Sequence, residues 1–144
     1  MRNSTKILLF VVAVASLMSC RQEGCSDPDA VNYDARAKDD DGSCMYQGSV
    51  VFWYRQEVAD QLEQNGVTLL AATFFTQQVG THVPDNPFSE APDCDAAGSF
   101  TINYDMGSNK NVLVDYMIEE VNGFGFWTDI LTLQANTCKK IELY

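Results

Sequence analysis

The chain has a single histidine, His82, in 144 residues. A Ser-His-Asp triad or a Cys-His dyad would have to be built on that one residue. No Gly-x-Ser-x-Gly elbow accompanies it, and its place beside a proline loop reads as surface. Zinc sites draw on several His or Cys ligands, so a zinc reading would have to spend the cysteines. Basic residues are also scarce: nine Lys and Arg stand against twenty Asp and Glu, for a formal net charge of −11. A chain this acidic is repelled by nucleic acid and by anionic lipid surfaces. No phosphate loop, dinucleotide fingerprint or basic, aromatic-laced patch offsets that. A carboxylate pair for glycoside hydrolysis could be sought among Glu119, Glu120 and Asp129. Glu119 and Glu120 are neighbours in a strand-like stretch, however, and point to opposite faces. The expectation is a protein that is not an enzyme.

A long apolar run is missing too. Ile7–Ala15 is uninterrupted but far shorter than the roughly 20 residues a membrane-spanning helix needs. With Arg2 and Lys6 before it and small residues after it, it reads as a secretion signal covering residues 1–19. Leu17-Met-Ser-Cys20 resembles a bacterial lipobox, in which an aliphatic residue at −3 and a small one at −1 precede an acylated cysteine. There are five cysteines. An odd number in a secreted protein leaves one unpaired, and lipidation of Cys20 accounts for it. Several acyl chains, at about 0.8 kcal/mol per buried CH₂, anchor more firmly than one. Arg21 rather than Asp follows the cysteine; by resemblance to lipoprotein sorting in diderm bacteria, this argues against inner-membrane retention. The expected location is the outer membrane, at the cell surface or on its periplasmic face.

Composition divides the chain after the signal segment into two parts. Residues 20–47 carry the anchor and a stretch with seven acidic residues, three basic ones and almost no large apolar side chains. Such a stretch cannot fold by burial alone. A Cys25–Cys44 disulfide would compensate; it closes a loop of 18 residues, worth about 3 kcal/mol by chain entropy, in a compartment where the bond persists. Asp27, Asp29, Asp34, Asp39, Asp40 and Asp41 offer hard-cation ligands, and Gly42 permits a sharp turn. Of these, Asp27, Asp29, Asp34, Asp39 and Asp41 are the candidate Ca²⁺ ligands. Three consecutive aspartates do not match the spacing of an EF-hand. The competing reading is a solvated loop of Asx-turns, with Asp27 capping the turn at Pro28 and Asp41-Gly42 making another.

Residues 48–144 hold nearly all the aromatic and aliphatic side chains, with a periodicity close to two. Strands are expected at Ser49–Arg55, Thr68–Phe75, Gln78–Val83, Ser99–Asp105, Val112–Val121, Phe124–Leu133 and Cys138–Leu143. A short helix is expected over Gln56–Asn65, with Val58 and Leu62 four apart and Gly66 as its C-terminal stop. Turns are placed at Thr76-Gln77, Gly107–Asn111 and Asn122-Gly123, and a loop at the three prolines of 84–92. Seven short strands in under 100 residues predict an antiparallel β-sandwich, mainly β, with Trp53 and Trp127 packed in its core.

Two resemblances add to this. Gly24-Cys-Ser-Asp-Pro28, Asn32-Tyr-Asp34 and Asp40-Asp-Gly-Ser-Cys44 resemble a short module that recurs in surface proteins of Bacteroidota-type bacteria, departing from it at Ala35. That module is loosely similar to the calcium loops of thrombospondin type 3 repeats. Phe52-Trp-Tyr54, Ala91-Pro-Asp-Cys94, Trp127, Asn136-Thr-Cys138 and Ile141-Glu-Leu143 resemble a small lipoprotein domain of the same bacterial group. The resemblance implies a transthyretin-like or carboxypeptidase-regulatory-like sandwich used for display and adhesion, without enzymatic activity. Four cysteines allow three pairings; Cys25–Cys44 with Cys94–Cys138 keeps each pair inside one compositional unit. The expected partners are the bilayer, through acylated Cys20, and an extracellular protein or glycan. The alternative is a Ca²⁺-dependent glycan- or peptide-binding module.

Overall fold

The computed structural model describes residues 22–121 and 125–144. The signal segment, Cys20 and the Asn122-Gly123 turn lie outside these residues. Two sheets pack face to face, as expected of a small β-sandwich. Strands β3 (Tyr46–Tyr54), β6 (Phe100–Gly107) and β9 (Cys138–Leu143) form one, in the order β6-β3-β9. The other runs β5-β4-β7-β8, from β4 (Leu70–Phe74), β5 (Gln77–His82), β7 (Asn111–Glu120) and β8 (Gly125–Gln134). Ahead of them, two short strands, β1 (Glu23–Gly24) and β2 (Asp39–Asp40), pair in parallel. Among the described residues no helix is long and apolar enough to cross a membrane.

Alternation fills the space between the sheets. Val50, Phe52 and Tyr54 of β3 meet Phe74 of β4, Phe100 and Ile102 of β6, Val114, Tyr116 and Ile118 of β7 and Leu133 of β8 in one buried cluster. Phe52 lies 5.8 Å from Phe100 and 5.0 Å from Tyr116, ring centre to ring centre. Each such side chain contributes on the order of 2 kcal/mol by leaving water. Gly48 lets β3 pass close under β8: a Cβ there would meet Met106 Sδ at 2.8 Å and the Gln134 carbonyl at 3.0 Å.

The helix α1 spans Gln56–Gln64, with Ala59 and Leu62 buried. It ends as the glycine predicts. Gly66 takes φ +72°, its N–H donates to Glu63 O, and the Val67 N–H donates to Leu62 O. These two bonds are a Schellman motif, and Val67 and Leu62 are both in the core, as that motif favours. The β4–β5 turn falls one residue earlier than Thr76-Gln77: Phe75 adopts φ 56°, and its N–H still donates to Asp115 O of β7 at 3.0 Å.

One pairing departs from the antiparallel expectation. β9 runs parallel to β3, from Ser49↔Cys138 to Tyr54↔Leu143. After β8 the chain crosses to the other sheet through Ala135–Thr137, where Asn136 takes φ 54°. The Asn136 N–H donates to Gln47 O and the Ser49 N–H to Thr137 O. The crossing therefore delivers β9 to the start of β3, and the two strands then run in the same direction.

As the middle strand, β3 is covered on both faces. Val51 and Trp53 are buried but lie outside the inter-sheet cluster, on the reverse face; Trp53 is thus buried as expected, on the side turned away from the second sheet. Lys140 and Glu142 of β9 stand in register with Val51 and Trp53. The proline loop is strapped over this face. Cys94 bonds to Cys138, Lys140 pairs with Asp93 at 2.7 Å, and Phe88 N–H donates to Tyr54 O. Arg55 reaches Glu142 at 2.7 Å and the Ser89 carbonyl at 3.2 Å, with its guanidinium 5.4 Å from the Trp53 ring centre. Trp127 is partly buried against the core, and its Nε1–H donates to the Tyr144 carbonyl at 3.0 Å.

Candidate functional site: the acidic module and its seat on the sandwich

The acidic stretch is a folded knot around the Cys25–Cys44 disulfide, whose Cα atoms are 4.8 Å apart. Cys25, Ala30 and Cys44 are its buried apolar residues. The remaining order comes from side chains bonding to nearby backbone. Asp27 accepts from the Asp29 N–H, Asp34 from Arg36, Asp40 from Gly42 and Asp41 from Ser43, each two residues on. These are Asx-turns. Asn32 bridges the two ends: its Oδ1 accepts the Met45 N–H at 2.8 Å and its Nδ2 donates to Ser43 O at 2.7 Å. The Asp34 N–H donates to Cys25 O, and the Val31 N–H to Met45 O.

Of the five aspartates expected as calcium ligands, Asp27, Asp34 and Asp41 each accept in a separate turn, and Asp29 lies within the first of them. Asp34 also receives Gln22 and the Arg36 guanidinium. Asp40, left out of that set, receives the Ser26 hydroxyl at 3.0 Å. Asp39 sits in β2. Bonding to the Arg36, Gly42 and Ser43 groups holds the carboxyls of Asp34, Asp40 and Asp41 below the usual range. Among the described residues, the cluster of three potential metal-ligating side chains is Cys25, Asp40 and Cys44. Its two sulfurs are bonded to each other, so it offers no thiolate. Among the described residues, no three of the five candidate aspartates form such a cluster, whereas Ca²⁺ takes six to eight oxygens.

Asp27 and Asp29 instead bind the sandwich. Lys110, in the β6–β7 turn, pairs with Asp27 at 2.6 Å and with Asp29 at 3.3 Å. The Tyr46 hydroxyl donates to Asp27 at 2.7 Å, and Lys110 Nζ lies 5.7 Å from the Tyr46 ring centre. The Lys110 bond, then the Tyr46 bond, pushes the Asp27 carboxyl down to about 2. The Lys110 ammonium is raised in return by Asp27. Lys110 is far from these aspartates in sequence, and no motif marks it; only the tertiary fold brings it here.

His82 is not the surface residue expected from its place in the chain. Its Nε2 lies 2.9 Å from the Tyr54 hydroxyl, and its ring stacks on Phe100 at 5.0 Å. Burial lowers its pKa below the ordinary histidine value and pushes the Tyr54 hydroxyl up to about 12. The pair joins β3 to β5 across the sandwich; among the described residues no serine or cysteine is bonded to it. Asp129 accepts the Ile130 N–H at 2.8 Å.

Neither a family model nor a solved structure matches this chain. A stretch of 25 residues, 17% of the chain, is 64% identical to ribulose bisphosphate carboxylase/oxygenase activase 1, chloroplastic, of Larrea tridentata. The match spans 5% of that protein's length, far too little to show a family.

Proposed function

We propose that this is a non-enzymatic, membrane-anchored surface lipoprotein with a binding or display role. Acylated Cys20 holds it in the outer membrane, the acidic module acts as a spacer, and the sandwich is the presented domain. The observation that carries this reading is the cysteine accounting. Four of the five cysteines are joined as Cys25–Cys44 and Cys94–Cys138. The fifth, Cys20, stands at the end of a secretion-type segment in a lipobox-like sequence. The resemblance of residues 24–44 to a surface-protein module of Bacteroidota-type bacteria supports the same reading. So does the seat of the module on Tyr46 and Lys110, because a spacer fixed at its far end gives the sandwich a defined stance above the lipid. The partner class is an extracellular protein or glycan.

The test is metabolic labelling of cells with a palmitate analogue, comparing the natural chain with Cys20→Ala, followed by protease on intact cells. Label that depends on Cys20, with the domain shaved from outside, is the expected result. Label with full protection from protease would place the domain on the periplasmic face. Absence of label from both chains would remove the anchor from the reading.

A further inference from the structure

We infer that the groove between α1 and the proline loop binds a short extended segment of a partner protein that bears a lysine or arginine. The inference rests on the proposed binding role and names its partner by chemistry. The groove is a cavity of about 510 Å³. One wall is a single face of the helix, since Gln56, Ala59, Asp60 and Glu63 recur at the i, i+3, i+4, i+7 spacing. The other wall is the start of the proline loop, with Val83, Pro84 and Pro87 as its apolar part and Asp85 among them, and Val67 also lines the cavity. Val67 and Ala59 are buried, whereas Val83 is 52% exposed. A second depression of about 450 Å³ shares Gln56 and Pro87 and adjoins the groove at the helix N-terminus, where Arg55, paired with Glu142, also lines it, so the cationic occupant is assigned to the main cavity.

Charge selects the occupant. Three carboxylates line the main cavity, those of Asp60, Glu63 and Asp85, and no cation lines it. Asp60 receives the Gln56 amide at 2.8 Å and Asp85 the Asn86 amide at 3.3 Å. Among the described residues none of the three has a cationic partner; Arg36, Arg55, Lys110 and Lys140 are paired elsewhere. Low-dielectric walls focus such a field. A lysine or arginine side chain suits both surfaces, because its aliphatic stem lies along the proline wall while its head meets the carboxylates. Length selects the form. Nine helical residues run about 13 Å, which an extended chain covers in roughly four residues.

The experiment uses the full chain in detergent micelles and reads the fluorescence anisotropy of a labelled Ala-Lys-Val-Arg peptide, with Ala-Glu-Val-Glu as its counterpart. Saturable binding of the basic peptide alone is expected, weakening with salt. Asp60→Asn/Glu63→Gln/Asp85→Asn should lower the affinity about tenfold with the melting temperature unchanged. Asp95→Asn/Asp115→Asn/Glu119→Gln removes the same charge elsewhere and should leave the affinity in place. Equal losses in the two triple variants would mean attraction by net charge alone and would overturn the groove. Binding of the acidic peptide as tightly as the basic one would also overturn it. Full competition by spermidine at equal affinity would overturn the peptide as occupant. Groove-dependent binding by a chain that proves unlipidated would uphold this inference and remove the display reading. A lipidated, surface-exposed chain that binds neither peptide would do the reverse.

Discussion

The acidic module and the sandwich reach order by different means. Between Gln22 and Met45 only Cys25, Ala30 and Cys44 are buried apolar residues, and the chain is held by a disulfide, four Asx-turns and Asn32. From Tyr46 onward most of an apolar cluster, to which Cys25, Ala30 and Cys44 also belong, fills the space between two sheets, and the second disulfide ties down a surface loop. The same covalent bond therefore has different consequences. In the module it makes up, with Ala30, all the buried apolar substance, a small extension of the sandwich cluster. In the sandwich it supplements a core, closing the proline loop over the reverse face of β3. A further contrast lies in the use of charge. Carboxylates of the module are spent on backbone N–H groups and on Lys110, whereas those of the α1 groove have no cationic partner among the described residues.

Breaking each disulfide is the strongest way to test that contrast. Removing Cys94–Cys138 as the double serine variant should lower the stability of the sandwich by up to about 4 kcal/mol and still leave it cooperative in urea, because the core is untouched. A variant that no longer folds would mean that the loop is part of the core. Removing Cys25–Cys44 costs about 3 kcal/mol by the same estimate, and here only Ala30, the Asx-turns, Asn32 and the Tyr46–Lys110 seat stand behind it. Hydrogen exchange should show residues 22–45 unprotected while β3, β4 and β7 keep their protection. Retained protection in the module would show that its hydrogen bonds suffice.

Gly48→Ala tests the sandwich through packing alone. The added methyl meets Met106 and the Gln134 backbone, so a loss of about 2 kcal/mol is expected in urea unfolding. An unchanged midpoint would show that β8 can shift away.

The seat between the two regions should respond to acid. Asp27 is depressed from 3.8 to about 2, so the folded chain keeps the anion where the unfolded chain takes up a proton. Its contribution is complete above the ordinary carboxylate value and is lost as pH falls through about 2. Titration of the carboxyl by NMR should give that low midpoint, and Lys110→Ala should raise it. A midpoint near 3.8 in the natural chain would mean that Lys110 and Tyr46 do not hold the module in place. The smallest effect is expected from calcium. With Asp27, Asp34 and Asp41 engaged in separate turns, millimolar Ca²⁺ should produce no calorimetric heat and no change in melting temperature. A saturable heat would require the loops to rearrange around the ion.

Much of the architecture was legible in the chain. A period of two marked the seven strands of the sandwich, and Val58, Leu62 and Gly66 marked the helix and its end. These are local signals: side chains two residues apart share a strand face, and only glycine enters the left-handed cap freely. Low apolar content likewise favoured a disulfide within the module, among the three pairings that four cysteines allow. Tertiary structure decided the rest. The parallel β3–β9 pair depends on where the corner at Asn136 delivers the chain. The seat on Lys110, the Tyr54–His82 bond and the strap over Trp53 join residues far apart in sequence. Their partners are set by how the two sheets and the loops between their strands meet, and local periodicity carries no record of that.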